Sequence, residues 1–262
     1  MQALRTAATG MAAQSMNVEV ISNNIANMNT VAFKRQRAEF QDLLYQTFEA
    51  AGTQSSDQGT IVPTGVQVGA GVKTGAVYRV STQGAFTRTD NQYDLAIDGR
   101  GFFQVLMPSG ETAYTRAGNL SVNDQGQLVT QDGYQIQPAI TIPGDAVSVT
   151  VSKSGQVQVQ QAGQTSPSVV GVMELATFVN EGGLQALGDN LLKETAASGA
   201  PTSGTPGSVG IGTISQGYTE ASNVDAVAEI TALIVAQRAY EMNSKVISTA
   251  DNMLGTANQT KA

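Results

Sequence analysis

The sequence feature that most constrains the fold is the C-terminal segment 220–262, where apolar residues recur every seven positions and no proline occurs. This repeat predicts a long α-helix of about 50 Å. We expect Ser222 or Asn223 to be its N-cap, and Asp225 and Glu229 to lie in its first turns. Two adjacent stripes make the apolar face wider than one partner helix covers. The stripes are Leu233, Tyr240, Ile247 and Leu254, and beside them Ala232, Ala239, Val246 and Met253.

A second heptad pattern runs from Met1 to about Asn29, with Leu4, Met11, Val18 and Ile25 at one position and Ala7, Ile21 and Met28 at the other. Pairing the two terminal helices as a coiled coil buries both apolar seams. A hairpin within one chain is the simplest arrangement, but the wide C-terminal face favours packing between subunits. We therefore predict an assembly interface that consists of Leu4, Met11, Val18, Ile21, Ile25, Leu233, Tyr240, Val246, Ile247 and Leu254.

The segment after the first helix has a less certain secondary structure. Residues 33–50 are amphipathic and fit either a helix or an extended chain, and we interpret the basic cluster Lys34, Arg35 and Arg37 as a solvated edge. Residues 52–75 are rich in glycine, serine and threonine and alternate in polarity, which predicts an extended ribbon or a long hairpin.

Short alternating strands separated by turn residues fill the interior of the chain and predict an antiparallel sandwich or irregular barrel. The predicted fold class is α+β, mainly β, with discontinuous domains. The terminal helices pair as a coiled coil, an extended or hairpin region connects them to the rest, and an antiparallel β domain is central. The predicted boundaries are 1–30 plus 220–262 for the helical domain, 31–75 for the connecting region and 76–219 for the β domain.

The composition excludes several kinds of chemistry. The chain contains no histidine and no cysteine, so it has no His- or Cys-ligated metal site and no Ser-His-Asp triad. Its net charge of −7 argues against a nucleic-acid partner, which requires a basic surface. We therefore expect no enzyme, no cofactor, no metal and no small-molecule substrate. The carboxylates considered for a catalytic pair are Asp94, Asp98, Asp124 and Asp132, and the last three lie in Asp-Gly or Asp-x-Gly turns.

Three sets of motifs resemble the bacterial flagellar rod, hook and hook-associated axial proteins. Ser22–Asn27 with Thr30–Lys34 resembles their N-terminal signature, and Glu220–Val224 with Gln237–Lys245 resembles their C-terminal signature. Segments 95–103 and 114–118 resemble the β domain shared by hook and rod proteins. Ala32 departs from the pattern, since the family usually carries glycine there; we expect this change to have little effect. The motif residues singled out are Ser22, Asn23, Asn24, Asn27, Gln237, Arg238, Tyr240 and Asn243.

Within this family, segments 34–47, 65–71 and 137–143 are most similar to the distal rod subunit. The resemblance implies a non-catalytic protein that is exported through the flagellar type III apparatus without a cleaved signal peptide. It also implies helical polymerisation into a straight drive shaft that spans the periplasm and transmits torque to the hook. The implied partners are further copies of this chain, the proximal rod proteins, the hook protein and the P- and L-ring proteins.

Alternatives to the distal rod subunit remain open at this point. The nearer one is another axial protein, either of the proximal rod or of the hook. The more distant one is a β-rich protein that acts on the cell wall, with an incidental helical hairpin. The glycine-rich ribbon at about 46–70 resembles an insertion that is associated with a straight, stiff tube, which favours the distal rod.

Overall fold

The computed structural model describes residues 2–52, 64–164 and 166–259. The chain forms two compact units built from discontinuous segments. The helical unit comprises Met1–Ala26, Gln36–Arg79 and Asp225–Ala262, and the β unit comprises Asn27–Arg35 and Val80–Val224. The predicted α+β class, with terminal helices and a central antiparallel β region, is confirmed. The division into three domains at residues 30, 75 and 220 stays a prediction.

Two antiparallel helices form the core of the helical unit: α1 spans Gln2–Ala26 and α2 spans Ala226–Gln259. Their direction follows from two contacts, since Asn24 near the end of α1 reaches Glu229 near the start of α2, whereas Gly10 lies against Asn243. A Cβ atom placed on Gly10 would lie 2.9 Å from the Asn243 Nδ2 atom, so glycine permits this close approach. Among the described residues, no helix combines the length and hydropathy needed to cross a membrane.

The start of α2 differs from the prediction. The side chain that caps it is Asp225, whose Oδ1 accepts hydrogen bonds from Val227 N at 2.9 Å and Ala228 N at 3.2 Å. The predicted caps Ser222 and Asn223 were therefore wrong. Asn223 is unavailable for this role because its Oδ1, the atom that a cap would use, accepts from Arg35 N at 2.7 Å within the β unit.

Strands, rather than a third helix, accompany α1 and α2 in the helical unit. They form two antiparallel ladders, β1 with β4 and β2 with β3, and α1 packs against the first ladder. The bonds Leu43 N to Gly71 O and Ala70 N to Leu44 O join the ladders into one ribbon. Residues 53–63 of the predicted ribbon lie outside the described part of the chain. The strands are β1 Gln36–Asp42, β2 Tyr45–Glu49, β3 Val66–Gly69 and β4 Val72–Arg79.

The β unit contains the remaining described strands and a 3-10 turn at Glu181–Gly183. These strands are β5 Phe86–Arg88, β6 Leu95–Asp98, β7 Phe102–Leu106, β8 Thr112–Thr115, β9 Ser121–Val122, β10 Leu128–Val129, β11 Gln135–Gln137, β12 Ala146–Val151, β13 Gln156–Gln161, β14 Ser168–Val172, β15 Leu175–Thr177, β16 Gln185–Gly188, β17 Leu191–Lys193, β18 Thr202–Gly204, β19 Thr213–Gln216 and β20 Tyr218–Glu220.

The main sheet has the strand order β16-β17-β8-β7-β11-β10-β9, and β15 pairs with both β7 and β18. Alternation along β7 divides its side chains between two cores. Phe103 and Val105 belong to the large aliphatic core, whereas Phe102 packs with Tyr114 and Phe178 in a smaller aromatic cluster. Burial, and secondarily the negative charge of Glu194, raises the pKa of the Tyr114 hydroxyl. The central strand thus joins both cores.

A separate sheet, β12-β13-β14, has one edge covered by side-chain amides. Gln216 Oε1 accepts from Val151 N at 2.9 Å, and its Nε2 donates to Val149 O at 2.8 Å. Gln92 Oε1 accepts from Val149 N at 3.3 Å. These amides occupy backbone groups of β12 that would otherwise be free to pair with another chain.

Candidate functional site

An exposed apolar stripe of the helical unit lies on α2, and we call it the outer face. Its side chains include Ile234, which is 53% exposed, and Val235, which is 64% exposed. At 100° per residue Ile234 lies about 160° from the buried Ala236, on the opposite side of the helix, and Val235 lies on a flank, about 100° from Ala236. Apolar surface in this arrangement is typical of a protein interaction site. The outer face consists of Val227, Ile230, Ile234, Val235 and Met242.

The side of α2 that faces α1 is built mainly from small and polar residues. Glu229, Ala236 and Ala250 are buried, and Asn243 between them is half-buried against Gly10. They recur every seven residues and let the α1 backbone come close. This stripe was not predicted, because the two predicted stripes lie at the neighbouring heptad positions. The signal that identifies it is the seven-residue spacing of Ala236, Asn243 and Ala250.

The predicted assembly residues lie on α1 and on the side of α2 towards α1. On α1 the side chains of Leu4, Met11, Val18 and Ile25 are half-buried, and Ile21 is buried. On α2 the side chains of Leu233 and Ile247 are half-buried on the side towards α1, and Tyr240 and Leu254 lie exposed at its margin. Val246 is also exposed at this margin, about 60° around the helix from Asn243, so none of the predicted residues lies on the outer face. The role of the whole set in assembly stays a prediction.

Asn24 is a motif residue with extensive contacts in the helical unit. Its Oδ1 accepts from Gln36 N at 2.8 Å, and its Nδ2 donates to Gln36 O at 2.8 Å and to Glu229 Oε2 at 3.1 Å. Asn24 and Glu229 are each only 1% exposed. One buried side chain therefore ties together α1, the start of β1 and the start of α2.

The other motif residues lie in less buried places. Ser22, Asn23 and Gln237 are exposed, and Asn27 is half-buried in the turn after α1. Arg238 forms an exposed ion pair with Glu241 at 3.1 Å, which contributes little to stability in water.

A buried charged cluster, which was not predicted from the sequence, lies in the β unit. The Glu220 side chain is 0% exposed and lies between Lys34 and Arg116. Its Oε1 accepts from Lys34 Nζ and from Gly84 N at 2.9 Å, and its Oε2 accepts from Arg116 Nε at 2.8 Å. The interpretation of Lys34 as part of a solvated edge was wrong, because its side chain is only 11% exposed.

Further hydrogen bonds satisfy the two cations. Arg116 donates from Nη1 to Gly101 O at 3.1 Å and from Nη2 to Gly99 O at 2.9 Å, and Lys34 donates to Thr82 O at 2.9 Å. Buried ion pairs stabilise a fold only when their remaining polar groups are satisfied in this way. The cluster is therefore an integral structural element of the β unit.

The electrostatics of the cluster keep Glu220 ionised. Burial alone would raise the pKa of Glu220, but the Arg116 charge and the hydrogen bonds from Lys34 and Gly84 outweigh it, so its pKa is lowered. Burial lowers the pKa of Lys34, and the hydrogen bond to Glu220 opposes that effect.

Two cavities lie among the described residues of the β unit. One of about 370 Å³ lies beside the turn at 123–126, and one of about 190 Å³ is lined partly by Asp132 and Asp189. Neither is lined by a lysine or an arginine. In residues 2–52, 64–164 and 166–259 no three acidic side chains come together to hold a metal ion.

Comparison with known proteins decides the family. Family models described as "Flagella basal body rod protein", "Flagellar hook protein FlgE/F/G D1 domain" and "Flagellar basal body rod FlgEFG protein C-terminal" match residues 4–34, 96–159 and 215–260. The flagellar basal-body rod protein FlgG of Caulobacter vibrioides is 70% identical over 262 residues, which cover 100% of both chains. The chain belongs to the FlgG family of flagellar basal-body rod proteins.

Two further relatives define its place among the rod proteins. FlgG of Agrobacterium fabrum is 52% identical over 253 residues, which cover 97% of each chain. FlgF of Caulobacter vibrioides is 37% identical over 239 residues, which cover 88% of this chain and 85% of that one. Identity to FlgG thus far exceeds identity to FlgF of the same organism. The resemblance to flagellar axial proteins is confirmed, and its FlgG branch is identified.

Proposed function

We propose that this chain is a non-catalytic structural subunit of the bacterial flagellar basal body that polymerises helically into the straight distal rod and transmits motor torque to the hook. The observation that carries the proposal is the outer face of α2, a stripe of exposed apolar side chains along a helix that α1 covers on its other side. Family membership identifies the chain as a rod protein, and the outer face is the proposed surface through which its copies associate. The greater likeness to FlgG than to FlgF favours the distal rod over other axial positions.

The size of the outer face favours many neighbours over one. Complete burial of its five partly exposed side chains would contribute about 5–9 kcal/mol, taking roughly 1.5–3 kcal/mol per fully buried side chain. Association costs about 4–15 kcal/mol in lost translational and rotational freedom and in ordering. A single pairwise contact through this face is therefore marginal. A polymer in which several copies contact each subunit is stable because each copy, once held, makes its remaining contacts without a further loss of freedom.

The ribbon of the helical unit offers a second contact surface. Leu44, Phe48, Val66 and Val68 are all exposed, and the antiparallel register, which pairs Gln46 with Val68, places them on one side of the β2–β3 ladder. Such a small sheet gains stability when a neighbour covers its apolar side. We propose that this contact stiffens the rod.

The proposed partners follow from family membership. They are further copies of this chain, the proximal rod proteins at one end, the hook protein at the other, and the P- and L-ring proteins around the rod. The proposed location is the periplasm-spanning rod of the basal body, which the subunit reaches through the flagellar type III export apparatus. The proposal includes no enzymatic activity and no cofactor, and the absence of histidine and cysteine supports it.

The test is assembly by the purified full-length chain. We expect electron micrographs of a concentrated sample to show straight tubes of uniform width, and a dilute sample to show monomers. Disordered aggregates or monomers at every concentration would count against self-assembly through this chain alone. Short assemblies of purified FlgF-type or FlgG-type proteins can then be compared as seeds for polymerisation of this chain. Faster elongation from the FlgG-type seeds supports a distal position.

A further inference from the structure

The chain passes between its two compact units at four places, after residues 26, 35, 79 and 224. Residues 27–35, which we call the strap, connect two of these passages and belong to the β unit. Residues 80–84 follow the passage after residue 79, and residues 220–224 precede the passage after residue 224. Both segments also belong to the β unit. All the covalent connections of the β unit to the helical unit therefore run through three short segments.

Backbone hydrogen bonds join these three segments to one another. Ala32 N in the strap donates to Glu220 O at 2.8 Å, and Val80 N donates to the strap at Arg35 O at 2.8 Å. Ala221 N donates to Ala85 O at 2.8 Å. The strap is thus hydrogen-bonded to both other segments. The segment 220–224 is joined to Ala85, the residue that directly follows segment 80–84.

Two side chains contact all three segments. Asn223 Oδ1 accepts from Arg35 N at 2.7 Å, and its Nδ2 donates to Val80 O and to Thr82 O, both at 2.9 Å. Glu220 contacts Lys34 in the strap and Gly84 in the second segment, while Arg116 fixes it to the interior of the β unit. We call Lys34, Arg116, Glu220 and Asn223 the clasp.

The charges in the clasp make its opening cooperative. Lys34 and Glu220 are almost without exposed surface, so separating the strap from the last segment would leave buried ions without partners. A buried cluster of this kind stays intact or opens as a whole, because each remaining charge is worse off once one partner has left.

We propose that the clasp makes the four chain passages between the helical and β units a single mechanical connection, which holds or opens as one. Its meaning for torque transfer rests on the proposed role in the rod: a load on either helix then reaches the β unit through every passage at once. The structural part of the proposal concerns the monomer alone.

The test is residue-level hydrogen exchange on the full-length monomer in dilute solution, with Glu220→Gln as the variant. The reporters are the amides of Ala32, Val80 and Ala221, since their acceptors are backbone carbonyls and not the Glu220 carboxylate. We expect exchange at all three to accelerate together, by about tenfold or more. Reference amides in the core, at Phe103 and Val159, should accelerate less than the reporters, by no more than the loss of global stability that the same variant shows in denaturant.

The matched control is Glu111→Gln, which removes a carboxylate from the exposed pair with Lys193 in the same unit and should leave all reporters unchanged. Acceleration of one reporter alone, or of reporters and core references alike, would overturn the proposal. If Glu220→Gln does not fold, Lys34→Met takes its place in the same hydrogen-exchange measurement, with the same expected and contradicting results. Lys34→Met leaves the Glu220–Arg116 ion pair intact. None of these outcomes depends on polymerisation, so they are distinguishable from a failure of the proposed function.

Discussion

Asn24 and Gln36 exchange two hydrogen bonds of 2.8 Å, so the side-chain amide of a helix residue pairs with the backbone of a strand residue as a neighbouring strand would. The same amide nitrogen also donates to Glu229 at the start of α2. A short side chain of a single residue type thus sets the positions of three elements of the helical unit. Asparagine is suited to this role because it offers a donor and an acceptor at the same distance from the backbone.

Replacing Asn24 by alanine should lower the free energy of unfolding of the helical unit by about 2–4 kcal/mol, because three buried hydrogen bonds are lost and their partners stay buried. The measurement is urea unfolding followed by far-ultraviolet circular dichroism. Ser22→Ala, an exposed change on the same helix, should alter that free energy by less than about 0.5 kcal/mol. Equal losses in the two variants would show that Asn24 has no special role.

The long helices could be predicted from the sequence because their apolar spacing is a local property. Leu4, Met11, Val18 and Ile25 repeat within one segment, and the helix α1 forms where the repeat lies. Which side of α2 meets α1 could not be predicted in the same way. That side is chosen by close approach of the two backbones, which places Ala236 and Ala250 between the two predicted stripes against α1.

The strands at 36–49 and the clasp depend on partners distant in the sequence. Gln36 pairs with Arg79, and Lys34 pairs with Glu220, which lies 186 residues away. Local amphipathicity at 33–50 fits a helix or a strand equally well, and three nearby cations resemble a solvated edge. The family motifs at 30–34 and 220–224 contained the missing information, since both hold residues of the clasp.

A second prediction concerns Ala32, which is buried and adopts a positive φ of 59°. Left-handed backbone costs a residue with a Cβ atom roughly 1–2 kcal/mol, and glycine avoids this cost but has more conformational entropy to lose on folding. Ala32→Gly should therefore stabilise the β unit by about 0.5–1 kcal/mol, measured as a higher Tm. The expectation of little effect at this position is tested by the same measurement.

The control for this variant is Ala146→Gly in strand β12, where glycine should destabilise by about 0.5–1 kcal/mol. Opposite signs at the two positions would support the conformational argument. A lower Tm for both variants would show that the methyl group of Ala32 contributes more through packing than its backbone conformation costs.

A third prediction concerns Gln216, whose amide covers the edge of β12. Gln216→Ala should destabilise the β unit by about 1–3 kcal/mol, because Val149 O and Val151 N lose their partners. It should also increase concentration-dependent aggregation, since an uncovered edge can pair with another chain. Light scattering at matched concentrations measures this, with the exposed Gln125→Ala as control. Equal scattering from both variants would contradict the protective role of Gln216.

A fourth prediction concerns acid. The pKa of Glu220 is lower in the folded chain than the ordinary value of 4.5, so its carboxylate contributes stability above that pH and loses the contribution as the pH falls through the folded value. The charges that face it are Lys34 and Arg116, and Glu181 acts on Lys34 from a greater distance. The β unit should therefore lose stability below about pH 4.5.

Denaturant midpoints measured at a series of pH values check this expectation. Glu220→Gln should be less stable at neutral pH and show a shallower loss towards acid, because it lacks the titrating group. Glu111→Gln should keep the wild-type slope, since that carboxylate lies in an exposed pair. Parallel curves for wild type and Glu220→Gln would show that other carboxylates cause the acid effect.

The measurement that tests the central claim most directly is assembly of the full-length chain with a charge placed on the outer face of α2. Ile234→Asp should abolish straight tubes in electron micrographs and leave a monomer by sedimentation, with the circular dichroism and Tm of the wild type, because Ile234 is already half-exposed in the monomer. The matched control Ser244→Asp adds the same charge to the same helix at an exposed polar position, and should assemble. Tubes formed by Ile234→Asp as readily as by the control would contradict the assignment of the outer face as the assembly surface.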